Sequence, residues 1–185
     1  MAASEATQRA AAESAESAEW SGPRSLRLPA LTLESGATLA PVTVAYETWG
    51  RLASNRDNVA LLCHALTGDA HACDLARPGD PRAGWWNPLV GPGRVFDTDR
   101  LFVVCSNVLG SCYGTTGPTS PRLEAGVADD TREQARWGLD FPHVTVGDMA
   151  QAQRALLAAL GVERLAVVAG GSRPAATTWR CSATR

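Results

Sequence analysis

Arg164-Leu165-Ala166-Val167-Val168-Ala169-Gly170-Gly171-Ser172 is the stretch whose reading decides the fold. After Arg164 the run is apolar, with no polar alternation, and it feeds directly into two glycines and a serine. A short apolar run bounded by turn residues reads as a strand buried on both faces. Just upstream, Thr145 to Leu160 reads as a helix. Thr145 is a good N-cap and Asp148 stands three residues on, as in a capping box. Val146, Met149, Gln153, Leu156, Leu157 and Leu160 make one face, with Gln153 its polar exception, and Gly161 ends the helix. Further upstream, Asn58 to Cys63 and Leu101 to Cys105 are two more buried strands. Strand, loop, strand, helix, strand predicts a parallel α/β sheet. Before these, Leu31 to Leu33 and Val42 to Trp49 read as strands joined across Glu34-Ser35-Gly36, a hairpin or meander start. The expectation is therefore an α/β domain, mostly parallel after an initial antiparallel pair. No internal repeat occurs.

Composition narrows the class. The chain has 185 residues, 45% hydrophobic and 19% charged, enough for the core of one ordinary domain. Its net charge of −2 argues against a broad nucleic-acid-binding surface. Every basic residue is Arg, which excludes lysine Schiff-base chemistry and a P-loop. No apolar run is long enough to span a membrane. Of the five cysteines, Cys63 and Cys105 sit inside strand-like runs and read as small buried hydrophobes. The odd number, with no C-x-x-C pair, suits a reducing cytosolic compartment. Residues 1–24, rich in Ala, Ser and Glu, lack the apolar core of a secretory signal and are expected to be a disordered leader.

Chemistry points to the strand end. Gly170-Gly171-Ser172 is the first half of a G-x-S-x-G nucleophile elbow, in which a tight strand-to-helix turn lifts the serine hydroxyl above the sheet. The second half departs from the pattern: Arg173 follows the serine, and Pro174 stands where the last glycine belongs. An elbow serine needs an oxyanion hole, built from the N–H of the next residue and one from the loop after an earlier strand. Arg173 is the first of these positions. Cys63-His64-Ala65-Leu66-Thr67-Gly68 follows a strand in the right place to supply the second, through the N–H of Leu66; an ordinary strand-ending turn fits the same residues. His64, His71 and Cys73 lack a fourth ligand at a zinc-like spacing, so no metal is expected. Residues 74–98 form a long Pro/Gly/Asp-rich loop, and its Trp85-Trp86 either walls a pocket or packs plainly. Asp97 and Asp99 read as turn or capping residues.

Together these segments resemble the homoserine O-acetyltransferase family of α/β-hydrolase-fold acyltransferases. The resemblance rests on AYETWG (45–50), CHALTGDAH (63–71), GWWNPLVGPG (84–93), FDTDRLFVVCSNVLGSCYGTTGP (96–118), DFPHVTVGDM (140–149) and AVVAGGS (166–172), in family order. It implies transfer of an acyl group from acyl-CoA, usually acetyl-CoA, to the hydroxyl of L-homoserine on the way to methionine. Relatives use succinyl-CoA, or serine as acceptor. The resemblance also implies a ping-pong mechanism in which Ser172 is the nucleophile and the N–H groups of Leu66 and Arg173 form the oxyanion hole. None of His64, His71 or His143 is the family's base. No bound cofactor is implied, and the full-length family enzyme is expected to be a cytoplasmic homodimer.

The likeness stops at Ser172. Arg173 to Arg185 matches nothing in the family, whose triad Asp and His lie well beyond the nucleophile. Residues 25–172 are thus expected to be an α/β-hydrolase domain cut short after the elbow strand, and residues 173–185 a non-family tail. A frame change, a premature end or a gene-model error would leave this pattern. Such a chain is expected to lack turnover and, with its last strand an uncovered apolar edge, to be aggregation-prone or a loosely packed partial fold. The rival readings are another α/β-hydrolase, an esterase or thioesterase using Ser172, and a non-catalytic remnant.

Overall fold

The computed structural model describes residues 22–74, 84–122 and 135–171. Seven strands run β1 (Arg24–Leu28), β2 (Leu31–Thr32), β3 (Thr38–Leu39), β4 (Val42–Trp49), β5 (Val59–Cys63), β6 (Phe102–Ser106) and β7 (Leu165–Gly170). Among the described residues one α-helix, α1 (Val146–Ala159), lies between β6 and β7, preceded by a single 3-10 turn at Gly138–Asp140. The main sheet has the order β1-β4-β6-β5-β7. β1 and β6 flank β4 antiparallel, while β5 pairs parallel with both β6 and β7. This is the expected mixed sheet: antiparallel at its start, parallel from β6 onward.

The start of the chain departs from expectation. The Glu34-Ser35-Gly36 turn does not join β2 to β4; it closes a separate small hairpin in which Leu31 faces Leu39. Pro41 is the reason, since it has no N–H and a fixed φ, and it separates β3 from β4. β4 instead takes β1 as its partner, with Leu26 opposite Val44. β1 itself was not expected, because Arg24, Ser25 and Arg27 interrupt its apolar residues, and it begins at the last residue of the expected leader. Residues 1–21 of that leader lie outside the described residues.

Every residue of β5 and β6 is buried. Their side chains alternate between two cores. Val59, Leu61, Cys63, Phe102 and Val104 face one cluster with Leu156 and Leu157 of α1 and Leu160, which caps it. Ala60, Leu62, Val103 and Cys105 face the other with Trp49, Cys73, Val90 and Phe96. A continuous apolar run is what a strand covered on both faces requires. β7 differs: its letters read as a strand buried on both faces, but with the family likeness ending just after it an uncovered edge was expected, and its residues are half-buried or exposed, with Val167 37% exposed. Among the described residues its hydrogen-bonded neighbour is β5 alone. Leu165 and Val168 still pack on one core and Ala169 on the other.

Helix α1 forms where its end signals place it. Thr145 Oγ1 accepts the Asp148 N–H at 3.1 Å, and Asp148 Oδ2 accepts the Thr145 N–H at 2.8 Å, completing the capping box. At the other end Gly161 takes φ +74°. Its N–H donates to Ala158 O, and that of Val162 donates to Leu157 O, the paired bonds of a Schellman stop. Arg56 adds a guanidinium hydrogen bond to Gly161 O at 3.2 Å, where a cation suits the helix dipole. Gln153 is buried as expected, with its amide near Cys63 Sγ and Ser106 Oγ. Val146 shares the buried face by angle but stays exposed, since the first helical residue has no preceding turn to pack beside. Among the described residues, no helix is long and apolar enough to cross a membrane.

Candidate functional site

The parallel register brings two loops together. Cys63, the last residue of β5, pairs with Gly170, the last residue of β7. The segment opening at His64 therefore starts beside the segment opening at Gly171. Parallel sheets bind ligands outside the carboxyl ends of their strands, where such loops meet.

After β5 the chain makes a β-turn over Ala65–Gly68, closed by Gly68 N–H donating to Ala65 O at 2.8 Å. Neither Leu66 nor Thr67 has a positive φ, which makes the turn type I, with Leu66 at its second position. The N–H at that position does not close the turn, and no described residue accepts it. The Leu66 side chain is 77% exposed, so burial does not explain its place there.

His64 braces this turn. Its Nδ1 lies 2.6 Å from Ala65 O, and its Nε2 accepts the Val108 N–H at 3.3 Å. Accepting at Nε2 leaves the proton on Nδ1, which donates to the carbonyl. Burial pushes this imidazole below its usual range, against the opposing pull of the Ala65 carbonyl and the Asp69 carboxylate. A neutral ring with both nitrogens engaged is a strut between the loops after β5 and β6 rather than a base. His71 is buried against Glu47, its Nδ1 3.1 Å from Glu47 Oε2. His143 lies exposed just before α1.

The tryptophans pack. Trp85 and Trp86 lean on the second core cluster, and Trp86 stacks on Phe96 with ring centroids 5.5 Å apart. Trp85 Nε1 donates to Asp69 O at 3.0 Å, and Trp86 N–H to Ala72 O at 2.9 Å, tying this loop to the segment after β5. A Cβ on Gly171 would lie 4.0 Å from Trp86 Cζ2, so the indole borders the end of β7. Ser172 and Arg173 lie outside the described residues, as does the 173–185 tail.

The remaining candidates are structural. Asp97 accepts the N–H groups of Gly93 at 2.9 Å and Asp99 at 3.1 Å, the expected turn role; these two bonds hold its carboxyl below the usual range. Cys63 and Cys105 are buried, and burial raises both thiols, Cys105 well above the usual range. Neither is a thiolate near neutral pH. Among the described residues no group of three His, Cys, Asp or Glu side chains is arranged to hold a metal ion. What sequence reasoning missed is the Glu47–His71 pair. Its signal was present: a carboxylate in the middle of an otherwise apolar strand needs a buried partner.

No family model matches the chain. Relatives nonetheless match it closely. The homoserine O-acetyltransferase of Carboxydothermus hydrogenoformans is 50% identical over 149 residues, 80% of this chain and 37% of that protein. That of Geobacter sulfurreducens is 53% identical over 142 residues, 77% of this chain and 36% of that protein. Among solved structures, homoserine O-acetyltransferase from Bacillus anthracis superposes with a TM-score of 0.72 at 33% identity, over 84% of this chain and 40% of that one. Esterase E22 superposes with a TM-score of 0.71 at 34% identity, over 83% of this chain and 41% of that one. The chain thus spans little more than a third of the length of the relatives it matches. With this sequence similarity and the shared sheet, the chain belongs to the homoserine O-acetyltransferase family of the α/β-hydrolase fold.

Proposed function

We propose that this chain carries the nucleophile half of an acyl-CoA:L-homoserine O-acyltransferase, acetyl-CoA being the donor. The observation that carries this reading is the Cys63–Gly170 register, which sets the Leu66 turn, with its unaccepted N–H, beside the strand leading to Ser172. In the first step Ser172 Oγ attacks the thioester carbonyl. The C–S bond breaks, CoA leaves as its thiol, and an acyl-serine ester remains. In the second step the homoserine hydroxyl attacks that ester, forms O-acylhomoserine and returns the proton to Ser172. The N–H groups of Leu66 and Arg173 hold the oxyanion of each tetrahedral intermediate. A serine hydroxyl requires an adjacent base for the first step, and we assign that base to the part of the relatives' length that this chain does not span. Residues 25–172 are the part of the domain carried here, and 173–185 a segment foreign to it. Cytoplasmic homodimers are the proposed working form of the whole enzyme.

The test is a chimera in which residues 1–172 continue into the remaining part of the Geobacter sulfurreducens relative. With acetyl-CoA alone, peptide mass spectrometry should find the acetyl group on Ser172, and adding L-homoserine should release it as O-acetylhomoserine. Label on Cys112, or none under conditions where the intact relative is labelled, overturns the assignment. The likeness to esterase E22 favours a second reading, in which water is the acceptor; release as acetate with homoserine present would select it. Succinyl-CoA and L-serine, tested in the same way, settle donor and acceptor.

A further inference from the structure

The Ala65 carbonyl accepts two hydrogen bonds. One is the turn-closing bond from the Gly68 N–H at 2.8 Å, and the other comes from the His64 imidazole, whose Nδ1 lies 2.6 Å away. A backbone N–H can only donate, so the contact of the Val108 N–H with Nε2 at 3.3 Å leaves the ring proton on Nδ1 and sets the direction of the second bond. Ring and turn are also in close contact: a Cβ on Gly68 would lie 3.2 Å from His64 Cβ and 3.4 Å from Nδ1.

That carbonyl belongs to the same peptide unit as the Leu66 N–H. The unit is planar and trans, so its C=O and its N–H point in opposite directions, and whatever orients one orients the other. The turn bond alone is a weak hold. Leu66 is exposed, water competes at the turn, and roughly a third to a half of β-turns lack the closing bond. His64 holds differently. It follows β5 directly, its side chain is buried, and its far nitrogen is tied to the loop after β6. The imidazole therefore ties the peptide to the sheet and not only to the turn. Rotating that peptide would break both bonds to Ala65 O and strand a buried Nδ1–H without an acceptor. Burial also pushes the imidazole below its usual range, which keeps this one-proton pattern at neutral pH.

We propose that His64 is a positioning residue for acyl transfer: through Ala65 O it holds the Leu66 N–H in the direction from which that N–H meets the oxyanion. This rests on the oxyanion role proposed for Leu66, and it gives the imidazole no part in proton transfer. In the chimera of residues 1–172 with the remaining part of the Geobacter sulfurreducens relative, two substitutions separate the two ring nitrogens. His64→Asn keeps a donor at the place of Nδ1 and loses the acceptor for Val108. His64→Gln keeps an acceptor at the place of Nε2 and loses the donor to Ala65 O. Acetylation of Ser172 at saturating acetyl-CoA should slow about 10- to 100-fold in His64→Gln, with KM for acetyl-CoA unchanged. His64→Asn should regain most of that loss. In a Leu66→Pro background, which has no N–H to position, His64→Gln should slow the reaction no further. Equal losses in the Asn and Gln variants, or a loss that repeats in full in the Leu66→Pro background, assign His64 to the fold alone and overturn the proposal. A full rate in Leu66→Pro overturns the oxyanion reading, and this inference falls with it. A slow Leu66→Pro beside a full-rate His64→Gln overturns the inference alone. Should the variants fail to fold, the ring ¹⁵N resonances of the unsubstituted 185-residue chain decide: a protonated Nδ1 with a bare Nε2 is expected at neutral pH, and any other ring state overturns the proposal.

Discussion

Removing one buried carboxylate should loosen two elements far apart in sequence. Asp148 is fully buried in the first turn of α1. Its Oδ1 accepts the Glu34 N–H at 2.7 Å, and its Oδ2 accepts the Thr145 N–H at 2.8 Å, while Thr145 Oγ1 donates its one proton to Glu34 Oε2 at 2.6 Å. One side chain thus caps the helix and pins the β2–β3 hairpin to it. A hydrogen bond to a charged group contributes about 1.5–3 kcal/mol, and a deprived buried donor costs about 1–3 kcal/mol. Glu34 and Thr145 are partly open to water, which can replace some of this loss. Asp148→Ala should therefore cost about 2–4 kcal/mol, a large share of the roughly 5–15 kcal/mol that holds a domain together. Asp148→Asn keeps one oxygen but turns an NH₂ toward a donor, and should cost about 1–2 kcal/mol. Urea unfolding followed by far-ultraviolet circular dichroism is the assay. With a slope of about 2 kcal/mol/M, the Ala variant's midpoint should fall by roughly 1–2 M. Hydrogen exchange adds a local check: the Glu34 amide should lose protection although it lies 114 residues away. A midpoint within about 0.3 M of the parent, or an unchanged Glu34 amide, would refute the reasoning.

Four further outcomes follow from the same geometry. Gly50→Ala should cost upward of about 2 kcal/mol, measured by the same unfolding assay, because Gly50 has φ +78° and an added Cβ would sit 2.2 Å from Leu101 O. Gly147→Ala should cost less than this, since its Cβ would meet the far end of the Glu34 side chain rather than backbone, and that carboxylate can shift aside at the expense of its bond from Thr145 Oγ1; equal losses at the two sites would count against this contrast. His64 should make stability fall as pH drops from about 7 to about 5: burial lowers its folded pKa, so the unfolded chain takes up the proton first as pH falls through about 6.5. His64→Gln should flatten that slope, and an unchanged slope would remove His64 as its source. In the chimera described above, Leu66→Pro should preserve the fold, since proline suits the second position of a type I turn, yet slow acyl transfer about 10²–10³-fold by deleting the N–H; a full rate would end the role given to Leu66.

Local sequence was enough for the elements that depend on short-range physics. β5 and β6 are uninterrupted apolar runs, and only a strand covered on both faces tolerates that. The Thr145–Asp148 spacing and Gly161 mark the ends of α1 because capping bonds close within three or four residues. Oxyanion-turn geometry was half legible: the sequence pointed to Leu66, and a hydrogen-bonded turn that leaves its N–H unaccepted came only with the structure. Partner choice was not legible at all. Which strand meets β4 depends on the whole sheet closing, and a run broken by Arg24, Ser25 and Arg27 carries no local sign that it will be β1. The exposure of β7 is a property of its neighbours, since an apolar run has the same letters at a sheet's edge as at its centre; it was expected only from the point at which the family likeness stops. Glu47, His71 and Asn107 come from three separate segments. Each residue type was visible in the sequence, but the burial of His71 against Glu47, and of Asn107 beside Ala45, exists only after β4 and the loops behind β5 and β6 have packed together.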